Sequence, residues 1–241
     1  MRALRWALFR QVLALLFVAA PLAPVAPANA QVGVSASAAS DYLYRGVSLS
    51  DGKPALSVSI AYDRQSGGYV GGALIGEETA DAGPRRLGDV EYLGYARRIN
   101  ANTTLDGGLY RIEYTNYNYQ RYSAYNNEVY AGLKHGPISY YIYYSPHYFG
   151  RSSTVYLDMK GALRLARHWR LSGHVGVLTQ LKGGDASPVK GVTYDLRTGL
   201  AAEFKGGEVE LAWTTRGPDA SERAGRPRKR DAIVLGASCF F

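Results

Sequence analysis

Apolar and polar residues alternate along this chain with period two, segment after segment. In 55–62 Leu56, Val58, Ile60 and Tyr62 fall on one face, with Ala55, Ser57, Ser59 and Ala61 on the other. The stretch 154–165 sets Val155, Leu157, Met159, Leu163 and Leu165 against Tyr156, Asp158, Lys160 and Arg164. A helix would scatter those charges around its circumference, whereas a strand keeps them on one side. The pattern predicts twelve strands, at 32–44, 54–62, 69–76, 89–98, 103–114, 127–134, 137–145, 154–165, 169–180, 192–204, 208–216 and 231–241. An even number lets an antiparallel sheet close with both ends on one rim. The connections alternate between tight turns (DRQSGG, INAN, HG, ARH, KGG) and longer polar loops, among them RGVSLSDGK and GPDASERAGRPRKR. Short turns on one rim and long loops on the other are the habit of an outer-membrane barrel.

Alternation does not say which face is inside. A soluble sandwich or lipocalin-like barrel also alternates, with its apolar face inward. Three features favour the membrane. The polar face is rich in Gly, Ala and Ser rather than uniformly charged, many of the 20 tyrosines crowd strand ends as interfacial girdles do, and the sequence closes on the alternating DAIVLGASCFF. That last stretch resembles the terminal strand of outer-membrane barrels, whose closing aromatic residue their assembly machinery recognises. The resemblance makes Phe241 an assembly signal and a lipid-side anchor. The expected fold is all-β, an antiparallel transmembrane barrel over 31–241, in the outer membrane of a Gram-negative bacterium.

The first thirty residues read differently. Arg2, Arg5 and Arg10 precede a nine-residue apolar run, 12–20, and the segment ends Ala28-Asn29-Ala30. This is the layout of a secretory signal peptide, and the run is shorter than the roughly 20 residues that cross a bilayer. The mature chain is expected to begin at Gln31, and the absence of Cys there argues against a lipoprotein. Removing the three signal arginines from 28 basic residues leaves 25 against 20 acids, a net charge of +5. Such a balance excludes the strongly basic nucleic-acid-binding class. The single Cys239 cannot form an intramolecular disulfide.

The block SDYLYRGVSLSDGKPA, with Ser40, Asp41, Tyr42, Arg45, Gly46, Ser48, Asp51, Pro54 and Ala55, resembles the opening of the TorF-type porin family of proteobacteria, whose physiological role is unknown. A second block, YYSPHYFG at 143–150, is similar to that family's S-P-x-Y-x-G element. The resemblance implies an outer-membrane barrel and a pore, and carries over no catalytic residue. Read on its own, the first block places Asp41 and Arg45 near the end of the first strand and shapes a loop on the long-loop rim. Gly52 can take positive φ there, and Pro54 can start the next strand. Arg45 and Asp51 are then either geometric or residues of a pore mouth.

Catalytic chemistry is thin. Of four histidines only His174 has a serine, Ser172, two residues away on its own strand face, and both point inward. A lipid-hydrolysing dyad would face acyl chains. No enzyme, metal or cofactor is therefore expected. The charged positions assigned to the interior are Glu91, Arg97, Asp106, Glu128, Lys134, Asp158, Lys160, Arg164, Asp195, Arg197, Glu208 and Glu210. They pair across the lumen and close it, giving a structural or surface-binding barrel, or they form ladders around a narrow channel for ions and small solutes. The run Arg223, Arg226, Arg228, Lys229 and Arg230 is either a solvated loop or a contact to lipopolysaccharide phosphates. The tyrosines at 114, 117, 119, 122 and 125 are an interfacial girdle, sugar-stacking groups or a constriction.

Overall fold

The computed structural model describes residues 30–79, 83–115, 124–149, 152–182, 191–217 and 230–241. The expected signal segment, apart from Ala30, lies outside them. Twelve antiparallel strands close a barrel. In chain order these are β1 (Ala30–Ala39), β4 (Ala55–Arg64), β5 (Gly68–Thr79), β6 (Gly83–Asn100), β7 (Thr103–Tyr114), β8 (Ala124–His135), β9 (Ile138–Tyr148), β10 (Ser152–Ala166), β11 (Trp169–Lys182), β12 (Val192–Phe204), β13 (Gly207–Arg216) and β14 (Ala232–Phe240). Two further strands, β2 (Leu43–Tyr44) and β3 (Val47–Ser48), form a separate ribbon.

Closure comes from β1, which pairs with β4 on one side and β14 on the other. Phe241 extends that seam, its N–H donating to Val34 O (2.9 Å) and its carbonyl accepting from Val34 N (3.4 Å). A closed sheet satisfies every backbone group without an edge, which a lipid environment demands.

The side-chain distribution decides the question that alternation leaves open. Leu157 and Leu211 are 51% and 56% exposed, while Asp158 and Asp195 are each 5% exposed. Val58, Leu74, Leu109 and Ile142 join the exposed apolar belt. A water-soluble protein would reverse that arrangement, because an unpaired charge is costly to bury and an apolar surface this large is costly to hydrate. Lipid solvates the outside, and the interior holds the charge.

The inner wall has recesses that tyrosines fill. A Cβ at Gly94 would sit 2.4 Å from the Tyr69 hydroxyl and 2.7 Å from that of Tyr130. Only glycine lets those rings lie along the wall. Tyr69 Oη in turn donates to Asp106 Oδ1 (2.5 Å), and Tyr141 Oη to Asp106 Oδ2 (2.9 Å), so this sector of the barrel is tied by phenol–carboxylate bonds.

Candidate functional site

The first strand stops at Ala39, five residues short of the expected Tyr44, and the segment that follows does not stay on the rim. It folds into the barrel. Ser40 holds its base to β14, donating its N–H to Leu235 O (2.9 Å) and accepting the Leu235 N–H at Oγ (3.1 Å). Two tight turns then shape the insert. Arg45 and Gly46, between β2 and β3, have φ of 48° and 73°, and Asp51 and Gly52 have 53° and 70°. Positive φ at both central residues is the type I′ signature, which suits a two-residue hairpin. The second turn is closed by Lys53 N–H to Ser50 O (3.0 Å). Asp41 stitches the two turns together, Oδ1 accepting from Ser48 Oγ (2.6 Å), Ser50 Oγ (2.9 Å) and Gly52 N–H (3.3 Å).

Leu49 is fully buried at the centre of a cluster with Ile75, Leu87, Ile112, Tyr114, Tyr148, Phe149, Tyr156 and Leu178. Burying one leucine contributes about 1.5–3 kcal/mol. Tyr42 Oη meets Tyr114 Oη at 3.0 Å. At the tip, Gly46 lies so close to β12 and β13, three and two strands round the barrel from β1, that a Cβ would stand 2.8 Å from Asp195 Cβ and 2.9 Å from Arg216 Cβ. Arg45 beside it reaches Glu128 on β8, five strands from β1 the other way, so the hairpin crosses the lumen as a plug.

Arg45 is the polar anchor of this plug. Its Nη2 donates to Glu128 Oε2 on β8 at 2.7 Å, with the two side chains only 8% and 1% exposed. Its guanidinium lies 4.0 Å from the ring centroid of Tyr156, 5.5 Å from Tyr148, 5.6 Å from Tyr143 and 5.0 Å from Tyr44. Burial alone would lower the Arg45 pKa, but the groups around it, the Glu128 carboxylate among them, raise it by more. The group stays cationic. Burial likewise pushes the Tyr44 phenol well above its ordinary value, so that ring is neutral.

Below the plug lies a vestibule of about 750 Å³, roofed by Leu43, Tyr44, Arg45 and Gly46 and reaching the tight-turn rim at Pro137. One wall carries most of its charge. Asp158 contacts Lys160 Nζ (2.7 Å) and His174 Nδ1 (3.0 Å), and His174 Nε2 contacts Asp195 Oδ2 (2.5 Å). Glu203 accepts from Arg164 and Arg170 (each 2.9 Å), Arg170 also reaches Glu208, and Arg197 pairs with Glu210. These pairs run along β10 or sideways between β10, β11, β12 and β13. None of them bridges the lumen. Among the described residues, the hairpin is what fills the outer half.

The expected interior positions divide accordingly. Asp106, Lys134, Asp158, Lys160, Arg164, Asp195, Arg197, Glu208 and Glu210 face inward, and Glu128 does too, but as the plug's counter-charge. Glu91 and Arg97 do not. They share the outer face of β6 with Leu93 and Tyr95, which are 54% and 55% exposed, while Tyr92 and Gly94 turn inward. Charge misleads here because both faces of β6 are mixed. Glu91 stands opposite Arg111, and Arg97 lies three residues from the Asn100 turn, where the outer face leaves the apolar belt. Ser172 and His174 are not a dyad: Ser172 Oγ donates to Glu210 Oε1 (2.6 Å), while His174 is held between two carboxylates. Among the described residues no cluster of ligands could hold a metal ion.

Arg223, Arg226, Arg228 and Lys229 lie outside the described residues, as do the tyrosines at 117, 119 and 122; Arg230 is exposed at the start of the last strand. Tyr114 is buried against the plug rather than in a girdle, and Tyr125 is exposed beside Arg111 (5.7 Å).

The sequence profile of a family described as "bacterial protein of unknown function (Gcw_chp)" matches residues 23–234. The chain belongs to this family. No curated protein matches it by sequence. Solved structures of similar fold include NanC porin, with a TM-score of 0.55, 10% identity and coverage of 86% of this chain and 98% of that one. An outer-membrane channel of Pseudomonas putida F1 gives 0.53, 12%, 91% and 99%. KdgM porin in complex with disordered oligogalacturonate gives 0.50, 9%, 87% and 99%. The likeness is one of fold, that of the outer-membrane barrel, and it agrees with the exposed apolar belt. For this Gcw_chp member, the plug is the feature that strand counting missed. The positive-φ pairs RG and DG, six residues apart, were its signal in the sequence.

Proposed function

We propose that this chain is a narrow outer-membrane channel for ions or small solutes, a porin of the TorF type, kept shut at its outer mouth by the hairpin of residues 40–54. The observation that carries this reading is the pairing pattern of the lumen. Charges that pair along a wall leave water-filled space beside them, and here that space is a vestibule of about 750 Å³ under the hairpin. A barrel closed for structural reasons could fill that space with side chains. The second reading, a surface-binding barrel without transport, draws on the depth at which Leu49 and Arg45 are buried.

In this reading residues 1–30 are cleaved after export, and Phe241 in the closing seam is the address for the barrel-assembly machinery. The run from Arg223 to Arg230 supplies the guanidinium groups that contact lipopolysaccharide phosphates. The charged wall from Asp158 to Glu210 sets the potential that a permeating ion meets.

Planar-bilayer recording of the purified protein and of a variant lacking residues 41–53 tests the proposal. The wild type should show rare or small steps and the deletion variant steady, larger ones. Silence in both, with heat-modifiable migration proving a folded barrel, would leave the surface-binding reading.

A further inference from the structure

The surroundings of Arg45 have the composition of a receptor. Glu128 on β8, Tyr143 and Tyr148 on β9, and Tyr156 on β10 all belong to the barrel wall, and the hairpin contributes only Tyr44 and the cation itself. A carboxylate facing several aromatic rings within about 6 Å of a cation is how proteins bind guanidinium and substituted ammonium groups, since ring quadrupoles attract a weakly hydrated cation that one acid neutralises. The match with Arg45 is incomplete. Its Nη1 and the second Glu128 oxygen, Oε1, are both buried without a hydrogen-bond partner. A backbone-tethered guanidinium at φ 48° reaches the acid through one nitrogen only. A free guanidinium can turn to present its fork to both oxygens. The site is also reachable, because Arg45 and Tyr156 line the vestibule.

We infer that Glu128, Tyr143, Tyr148 and Tyr156 form a binding site for a solute bearing a guanidinium group, and that Arg45 occupies it as an intramolecular stand-in. The inference rests on the gated-channel reading for its role in transport, though not for the existence of the site. In this scheme such a solute competes with Arg45 for the cage, and its binding and release of the plug are one event. Sodium, strongly hydrated and without a planar fork, does not compete.

Chemical rescue tests this. Arg45→Gly removes the side chain and suits the positive φ, so the barrel should fold; heat-modifiable migration checks it. Two readouts are then taken with guanidinium chloride against sodium chloride at equal ionic strength, both far below denaturing concentration. Guanidinium should raise the temperature at which the folded band is lost in Arg45→Gly, and should suppress its bilayer current. Both effects should vanish in Arg45→Gly/Glu128→Gln. Methylguanidinium, with the same fork, should act likewise. If Arg45→Gly conducts and neither readout distinguishes guanidinium from sodium, the cage is not a receptor. If guanidinium stabilises the folded band but no current flows, the site stands and the channel reading falls. Should Arg45→Gly not fold, Arg45→Lys supplies the test, since a shorter cation leaves room that guanidinium stabilisation would still report; its absence there overturns the inference.

Discussion

Gly46→Ala is the smallest change that should force the plug out. The added methyl meets Asp195 Cβ at 2.8 Å and Arg216 Cβ at 2.9 Å, and φ at this residue is +73°. Those neighbours are the roots of side chains on β12 and β13, so they cannot rotate away without moving the strands. The left-handed conformation costs an alanine about 1–2 kcal/mol, and overpacking of this kind costs about 1–3 kcal/mol. Together the docked hairpin loses roughly 2–5 kcal/mol, or roughly 30- to 4000-fold in the ratio of docked to undocked forms at 1.4 kcal/mol per tenfold. Gly52→Ala is the control. It shares the positive φ, at +70°, but nothing lies within 4 Å of its Cβ, so only the conformational cost of about 1–2 kcal/mol applies. Two assays read the difference. Bilayer recording should show more open time for Gly46→Ala than for Gly52→Ala. Trypsin should cut after Arg45, which docking buries; Lys53 precedes Pro54 and is a poor site in either state. If the two variants behave alike in both assays, the tip does not seat against β12 and β13, and the plug is misplaced.

The remaining expectations are simpler. Leu157→Arg or Leu211→Arg should destabilise the folded barrel by about 2–4 kcal/mol near the bilayer midplane, measured by urea titration in lipid, whereas Arg97→Leu, on the outer face near the tight-turn rim, should leave conductance unchanged. Charge reversal Lys160→Glu breaks its pair with Asp158 (2.7 Å) and should shift permeability toward cations in the hairpin-deleted barrel; an unchanged reversal potential would remove that wall from the ion path. Removal of Phe241 deletes two hydrogen bonds of the closing seam and should slow assembly, read as accumulation of the unfolded band in a time course.

Much of the barrel was written in the alternation, and the parts that were not share a physical cause. Period two reports that one face differs from the other, and it placed β4, β10 and β13 correctly because the middles of their outer faces carry no charge. It failed on β6, where Glu91 and Arg97 ride with Leu93 and Tyr95. Outer-face positions near a rim meet headgroups and water, so charge there costs little and carries no sidedness. It failed again after Ala39, where alternation carried the first strand on to Tyr44 and left RGVSLSDGK as a polar loop on the rim. The RG and DG pairs, each with positive φ at two successive residues, mark two hairpin turns in that loop. The counter-charge was not legible at all, because nothing in the sequence joins Arg45 to Glu128.

The two blocks that carry the family resemblance meet at this one place. Ser40 to Ala55 builds the hairpin, and Tyr143 to Phe149 supplies two rings of the Arg45 cage and the aromatic floor beneath Tyr44. The three non-glycine residues with positive φ, Arg45, Asp51 and Phe149, also fall here and nowhere else among the described residues. Each costs about 1–2 kcal/mol relative to an ordinary backbone, and such strain persists only where surrounding contacts over-determine it. A wall needs no such expense, because strands of ordinary geometry close the barrel without it. In the gated-channel reading a plug that docks and undocks does, since strain that opposes burial brings the two states closer in energy. Replacing Asp51 by glycine relieves one of these terms without touching a wall residue. It should therefore favour the docked hairpin and lower the open time; a rise instead would mean that Asp51 holds the plug by contact, and that strain has no part in the gate.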